Sequence, residues 1–234
     1  MVPWLPAGSD FPPVESALDD PDGLLAAGLD LSPQTLLKAY RRGIFPWYSD
    51  DQPILWWSPQ PRCVFRQGDL HLSRSLRRHL HHADLTFTLD QDFDTVIDHC
   101  AAPRDADGGT WITGEMREAY REMHRLGHAH CLAVHQNGAL AGGIYGIQLG
   151  RVFFGESMFS TRSNGSKSAL AALWALAAEL GFELLDAQVE SPHLLSLGAV
   201  LMPRREFQRR LDDLIGDISP RRWPGGTFRW GELS

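Results

Sequence analysis

The chain has 234 residues, 43% hydrophobic and 22% charged, with a formal net charge of −7. These are ordinary globular values, ample for a sizeable core in one domain or two small ones; the acidic balance counts against indiscriminate nucleic-acid binding but leaves room for a local basic patch. No apolar run is long enough to span a bilayer, Met1-Val2-Pro3-Trp4-Leu5-Pro6 has no signal-peptide pattern, and Cys63, Cys100 and Cys131 have no CxxC spacing, so a reducing, cytoplasmic setting without a zinc site is expected.

Residues 1 to about 60 are rich in Pro, Gly and Asp and carry one clear helix. Ser32 is a good N-cap and Pro33 fits the first helical position. Leu36, Leu37 and Tyr40 form its apolar stripe, Arg41 and Arg42 complement the C-terminal dipole, and Gly43 ends it. The segments Ile44 to Tyr48 and Ile54 to Trp57 follow. This predicts a small, irregular N-terminal domain over residues 1–61 and a second domain over residues 62–234.

In the second domain Ser73 caps a helix with Leu76 and Leu80 inward and Arg74, Arg77 and Arg78 outward. Leu85 to Leu89 reads as a strand and Phe93 to Cys100 as a helix. Thr113 caps a helix with Met116, Tyr120 and Met123 on one apolar face, stopped by Gly127. Strands follow at 130–135, 139–148 and 151–156, with turn signals at Asn137-Gly138 and Leu149-Gly150. A helix from Ser166 to Leu180 then leads to a strand over Phe182 to Leu185 that closes the sheet. Helices before a meander, then a helix and a further strand, predict an α+β fold.

Two strand ends in this pattern present chemistry. One carries Glu156 within Gly155-Glu156-Ser157-Met158-Phe159-Ser160, and the next ends in Asp186-Ala187-Gln188. Each residue alone reads as readily as a surface or salt-bridge group. Together, beside apolar walls, they suit a polar reacting centre next to an apolar side chain. Phe153, Met158, Leu170, Leu173 and Leu185 converge if the two strands are neighbours, and a cavity at their edge would take a medium apolar group. The segment Arg162-Ser163-Asn164-Gly165-Ser166-Lys167 opens a helix, where backbone N–H groups favour an anion. Coenzyme A-dependent acetyltransferases place a small residue where Lys167 stands, which leaves room for an RNA phosphate. Trp47, Trp56, Trp57 and Trp111 lie in loop-like sequence, where tryptophan either staples domains or stacks a base at about 1–3 kcal/mol. His124 and His128 have i,i+4 spacing, but Gly127 breaks the helix between them, so no metal site is expected.

The chain resembles the leucyl/phenylalanyl-tRNA–protein transferase family over essentially its whole length. The motifs that carry the resemblance are Gly23-Leu24-Leu25, Asp30-Leu31-Ser32-Pro33, Arg42-Gly43-Ile44-Phe45-Pro46-Trp47, Ile54-Leu55-Trp56-Trp57-Ser58-Pro59, Gly109-Thr110-Trp111-Ile112-Thr113, Leu126-Gly127-His128-Ala129-His130, Gly155 to Ser160, Asp186-Ala187-Gln188 and Ser196-Leu197-Gly198-Ala199. Two departures stand out: Leu29 replaces a glycine usual before Asp30, and Ile144 replaces a common methionine.

The resemblance implies a GNAT-like acyltransferase domain and a monomer that needs no cofactor. It implies transfer of Leu or Phe, and less readily Met, from aminoacyl-tRNA to the α-amino group of proteins with N-terminal Arg or Lys, within N-end-rule degradation. Trp47 and Trp111 are implied near the terminal adenosine. Phe153, Met158, Ser168, Leu170 and Leu185 complete the aminoacyl-adenosine site, and Glu156, Asp186 and Gln188 surround the ester as the catalytic set. Arg74, Arg77, Arg78 and Lys167 are expected to meet the tRNA backbone. Gln188 is a poor Brønsted base and is read as a positioner of the amine held by Asp186; the general-base role ranks second. The competing readings are a coenzyme A-dependent N-acyltransferase on the same fold and a non-catalytic RNA-binding protein.

Overall fold

The structure, a computed structural model, describes residues 2–102 and 112–233. The N-terminal region contains a four-stranded sheet in the order β1-β2-β4-β3, made of β1 (Trp4–Leu5), β2 (Leu24–Gly28), β3 (Phe45–Pro46) and β4 (Leu55–Trp57). The sequence had suggested an irregular region because these strands are too short to show alternation. Helix α1 (Pro33–Arg41) lies between β2 and β3, and the Ser32 side chain accepts from Thr35 N–H as the cap requires. Trp56 is fully buried, and its indole N–H donates to the Gly28 carbonyl at 2.9 Å. Leu29, where a glycine is usual, holds the left-handed φ of 61° that explains the glycine.

The rest of the chain builds an eight-stranded sheet around the predicted meander. In chain order it contains β5 (Arg62–Arg66), α2 (Arg74–His82), β6 (Leu85–Leu89), α3 (Phe93–Ala101), α4 (Gly114–Arg125), β7 (Ala129–Gln136), β8 (Ala139–Leu149) and β9 (Val152–Ser160). Then follow α5 (Gly165–Ala175), α6 (Ala177–Leu180), β10 (Leu184–Gln188), α7 (Pro192–Ser196), β11 (Val200–Met202), α8 (Arg204–Leu214) and β12 (Gly226–Phe228). The order across the sheet is β11-β5-β10-β9-β8-β7-β6-β12. Ser73 and Thr113 cap α2 and α4 as expected, accepting from Leu76 and Met116 N–H. Asn137 and Gly138, with φ of 52° and 75°, form the two-residue β7–β8 turn.

Three expectations change. The strand expected over Phe182 to Leu185 is β10, Leu184 to Gln188, so Asp186 and Gln188 lie within it. It does not close the sheet, because β5 and β11 continue beyond it. The expected helix from Ser166 to Leu180 comes in two pieces, α5 and α6.

Alternating residues of the strands feed two cores on opposite faces. Val152, Phe154 and Leu184 join one with Tyr40, Trp56 and Tyr120; Phe153 and Leu185 join the other with α5. The first core is common to both sheets. β9 and β10 are parallel, which requires the helical crossover that α5 and α6 supply. Among the described residues, no helix is long and apolar enough to cross a membrane.

Candidate active site

β9 and β10 pair only as far as Phe154 and Asp186, then part. Both strands are bulged at that level against their other neighbours. On β9, Gly155 pairs with Gly146 and Ser157 with Tyr145, leaving Glu156 as the extra residue. On β10, Asp186 pairs with Val64 and Gln188 with Cys63, leaving Ala187 extra. A bulge reverses the pleat. Val152 and Phe154 face the first core, but beyond the bulge Phe159 takes that face and Met158 turns to the other.

Glu156 is 7% exposed and lies within a chain of hydrogen bonds. Tyr120 Oη donates to its Oε2 at 2.8 Å, and Gln188 Nε2 donates to its Oε1 at 2.8 Å. Tyr120 Oη in turn meets Tyr40 Oη. Burial pushes the Glu156 carboxyl up to about 7, against the lowering effect of the Tyr120, Tyr40 and Gln188 hydrogen bonds. With Nε2 engaged, the Gln188 amide presents Oε1 as its acceptor. Gln188 has a φ of 63°, a strained backbone for a non-glycine residue at about 1–3 kcal/mol.

Asp186 is fully buried and occupied otherwise than the sequence suggested. Arg62 grips both its oxygens, Nε to Oδ1 at 2.8 Å and Nη2 to Oδ2 at 2.7 Å. It holds Gln188 through the backbone, accepting from Gln188 N–H at 2.9 Å, not through the amide side chain. The guanidinium also donates to the Gly43 carbonyl at 3.0 Å and lies over the Phe45 and Phe207 rings. Asp186 thus fixes the strand that carries Gln188.

Two cavities meet at Glu156, which lines both. The first, about 360 Å³, has Phe65, Ile144, Met158, Leu170 and Leu185 on its apolar side and Ser191 and His193 at its polar edge. The second, about 410 Å³, is lined by Phe45, Trp47, Gln188, Val189 and Glu190. Trp47 is 42% exposed and packs at 5.6 Å on Trp57, whose indole N–H donates to the Trp47 carbonyl.

The sequence-derived site is therefore brought together in large part. Glu156, Gln188, Met158, Leu170, Leu185 and Trp47 line the cavities. Phe153 does not: its ring packs on Phe182 at 5.4 Å and Trp223 at 5.7 Å, because it precedes the point where the strands part. Leu173 is likewise core. Ser168 is fully buried and lines neither cavity; its hydroxyl has no partner among the described residues. Trp111 lies outside the described residues. Arg74, Arg77 and Arg78 are exposed on α2, which packs against α5. Lys167 is half-buried near the first cavity: after burial itself, its charge is what lowers the His193 imidazole below its ordinary value.

The start of α5 is less open to an anion than its sequence suggests. Gly165 N–H donates to the Arg162 carbonyl at 3.0 Å, and Ser166 N–H to Ser160 Oγ at 2.8 Å. The helix start is pressed onto β8, where a Cβ on Gly142 would meet the Gly165 carbonyl carbon at 2.4 Å.

The family model described as leucyl/phenylalanyl-tRNA protein transferase matches residues 64–212, and that of its N-terminal domain matches residues 29–60. The chain belongs to this family. A leucyl/phenylalanyl-tRNA–protein transferase of Alcanivorax borkumensis is 57% identical over 100% of this chain and 97% of the relative. One of Aromatoleum aromaticum is 55% identical over 95% and 94%. A solved structure of a functionally unknown conserved protein from Staphylococcus epidermidis aligns with a TM-score of 0.41 at 12% identity, over 77% of this chain and 68% of that one. The chain is thus an enzyme of the aminoacyl-tRNA–protein transferase class.

Sequence reasoning missed three site residues of this transferase. Arg62 heads the strand Arg62-Cys63-Val64-Phe65-Arg66, and unlike the exposed Arg66 it is buried, where a charge requires a buried counter-charge. Tyr40 and Tyr120 read as members of apolar stripes. The only signal was tyrosine in place of phenylalanine at a buried position, which calls for a hydrogen-bond partner.

Proposed function

We propose that the enzyme transfers leucine or phenylalanine, and less readily methionine, from aminoacyl-tRNA to the α-amino group of proteins beginning with Arg or Lys, marking them for N-end-rule degradation. The observation that carries this reading is the junction of the two cavities at the Gln188–Glu156 hydrogen bond. The apolar cavity suits an unbranched-β side chain. The second cavity, with the Trp47 indole at its rim, suits the terminal adenosine and the incoming amine; Trp111 is assigned to the adenosine by the same reading. The ester then lies beside Glu156.

An aminoacyl ester is already activated, so the protein's task is to position amine and ester and to stabilise charge as it develops. The attacking α-amine, with a pKa of about 7.7–8.0, is partly neutral at pH 7. Gln188 Oε1 accepts a hydrogen bond from the amine and aims its lone pair at the ester carbonyl. Asp186 and Arg62 hold the backbone that sets this aim. The tRNA phosphates meet Lys167 and the α2 arginines. In this reading residues 1–61 form the N-terminal domain, residues 62–234 form a GNAT-like acyltransferase domain, and the protein is a cytoplasmic monomer. The parallel strands β9 and β10, parting at the site, support the GNAT-like assignment.

Charged leucyl-tRNA, an acyl-coenzyme A and an Arg-started peptide offered together test the donor. Leucyl-tRNA should be consumed and the peptide extended by leucine. Transfer that survives RNase treatment of the charged tRNA, or consumption of the acyl-coenzyme A, would reject the reading. The amides already engaged at the start of α5 count against coenzyme A.

A further inference from the structure

Transfer to an ammonium requires the site to take up a proton, and the two buried carboxylates are unequally suited to it. Asp186 already accepts two bonds from the Arg62 guanidinium and one from Gln188 N–H, and it lines neither cavity, so an incoming amine does not reach it. Among the described residues, the donors to Glu156 are neutral: the Gln188 amide and the Tyr120 and Tyr40 phenols. It is also the extra residue of the β9 bulge, the position that turns it into the junction of the cavities.

We infer that Glu156 is the proton acceptor for the incoming ammonium, and that Tyr120, backed by Tyr40, is the positioning residue that keeps this carboxylate ionised and aimed at the cavity. The inference rests on the proposed transfer reaction and goes beyond it by naming where the proton goes. The ammonium gives one proton to Glu156 and becomes the amine. The C–N bond forms, the ester C–O bond to the ribose breaks, and the second nitrogen proton leaves with the ribose oxygen. Glu156 then releases its proton to solvent.

Among the described residues, few groups face Glu156. Tyr40 comes from α1, Tyr120 from α4, and Asp186 and Gln188 from β10; Tyr145 of β8 packs its ring at 5.6 Å on that of Tyr120. Arg62 reaches this group only through Asp186. Burial first, and the neighbouring Glu156 charge second, hold the Tyr40 and Tyr120 phenols well above their ordinary range. They therefore stay protonated donors around neutral pH. Without them, one amide would remain among the described residues to offset the burial of the carboxylate.

The test uses the full chain with leucyl-tRNA and an Arg-started peptide, and measures kcat and KM against pH for the wild type, Tyr120→Phe, Tyr40→Phe and Glu156→Gln. In parallel, the Glu156 carboxyl is titrated by carbon-13 NMR on the free protein, with Glu156→Gln assigning the resonance. Tyr120→Phe should move both the acid limb of kcat and the carboxyl titration to higher pH by about one unit, the worth of one charge-assisted hydrogen bond, with KM little changed. Tyr40→Phe, in which Tyr120 stays, should move them in the same direction by less, and serves if Tyr120→Phe does not fold. Glu156→Gln should lower kcat and leave the limb of the acceptor amine itself, at about 7.7–8.0. An active enzyme whose limb and carboxyl titration stay fixed in the tyrosine variants, or whose kcat and limb are unchanged in Glu156→Gln, overturns the inference. A folded wild type that moves no leucine at any pH overturns the transfer reading instead, and the proton step with it.

Discussion

Arg62 and Asp186 form a forked ion pair, 124 residues apart in sequence, with 1% and 0% of their side chains exposed. Removing one partner leaves a buried charge uncompensated, at about 3–5 kcal/mol. Asp186→Ala and Arg62→Met should each lose stability of that order. The double variant Arg62→Met/Asp186→Leu should recover much of it. Chemical denaturation checks this, and additive losses would mean the two side chains are not a closed pair.

Gln188→Ala removes the amine's positioner and leaves the apolar cavity intact. A misplaced nucleophile costs on the order of 10²-fold in rate. The single-turnover rate should fall by that order, with tRNA affinity nearly unchanged. Because the Gln188 amide bonds to Glu156, the combination with Glu156→Gln should be non-additive. Simple multiplication of the two defects would separate their roles.

Glu156 should also appear in stability. Its folded value of about 7 lies above its ordinary 4.5. The neutral form is the one the fold prefers, so this contribution is fully present below about pH 4.5 and is lost as pH rises through 7. Glu156→Gln should gain on the wild type by about 3 kcal/mol between pH 4.5 and pH 8. A stability difference that is flat across this range would show that Glu156 is ionised throughout.

Met158 and Leu170 wall the apolar cavity. Shape discrimination there is worth about 1–3 kcal/mol per methylene. Met158→Ala should therefore relax selection by 10-fold or more in favour of larger side chains. Isoleucine should remain disfavoured, since its branch lies against the ester. Competition among charged tRNAs reads this out, and unchanged preference would assign Met158 to the core alone.

Arg74, Arg77 and Arg78 are exposed along α2, and Arg77 Nε donates to the Leu72 carbonyl. If they meet phosphates, their joint replacement by alanine should weaken tRNA binding. It should also flatten the dependence of affinity on salt by about 0.7–0.9 in logarithmic slope per lost contact. Side-chain preference should not change. An unaltered slope would leave the helix face merely solvated.

Much of the fold was legible because its signals are local. Ser32, Ser73 and Thr113 cap the helices they precede, and Asn137-Gly138 makes the turn it predicts. Glu156 and Gln188 stood out as candidates because a polar group at the end of an apolar strand is unusual, and the structure brings both to the cavities. What was not legible depends on distant partners. Arg62 is given meaning by Asp186, and Tyr40 by Tyr120, neither of which is near in sequence. The position of β5 beside β10 follows from long-range pairing that no window of sequence contains. Phe153 lies outside the lining of both cavities: alternation marks the face of a strand but not the level at which two strands part.

The bulge at Glu156 lets β9 carry a carboxylate that takes no place in the ladder. Gly155 and Ser157 pair with consecutive residues of β8, so deleting Glu156 would leave their partners, and those of Met158 and Phe159, unchanged. The cavity wall and the core ring would keep their faces, and the carboxylate alone would go. Loss of a residue from the paired stretch beyond it would instead turn Met158 and Phe159 to opposite faces. The strand thus holds its chemistry and its selectivity in separable places, one as an insertion and the other as a register.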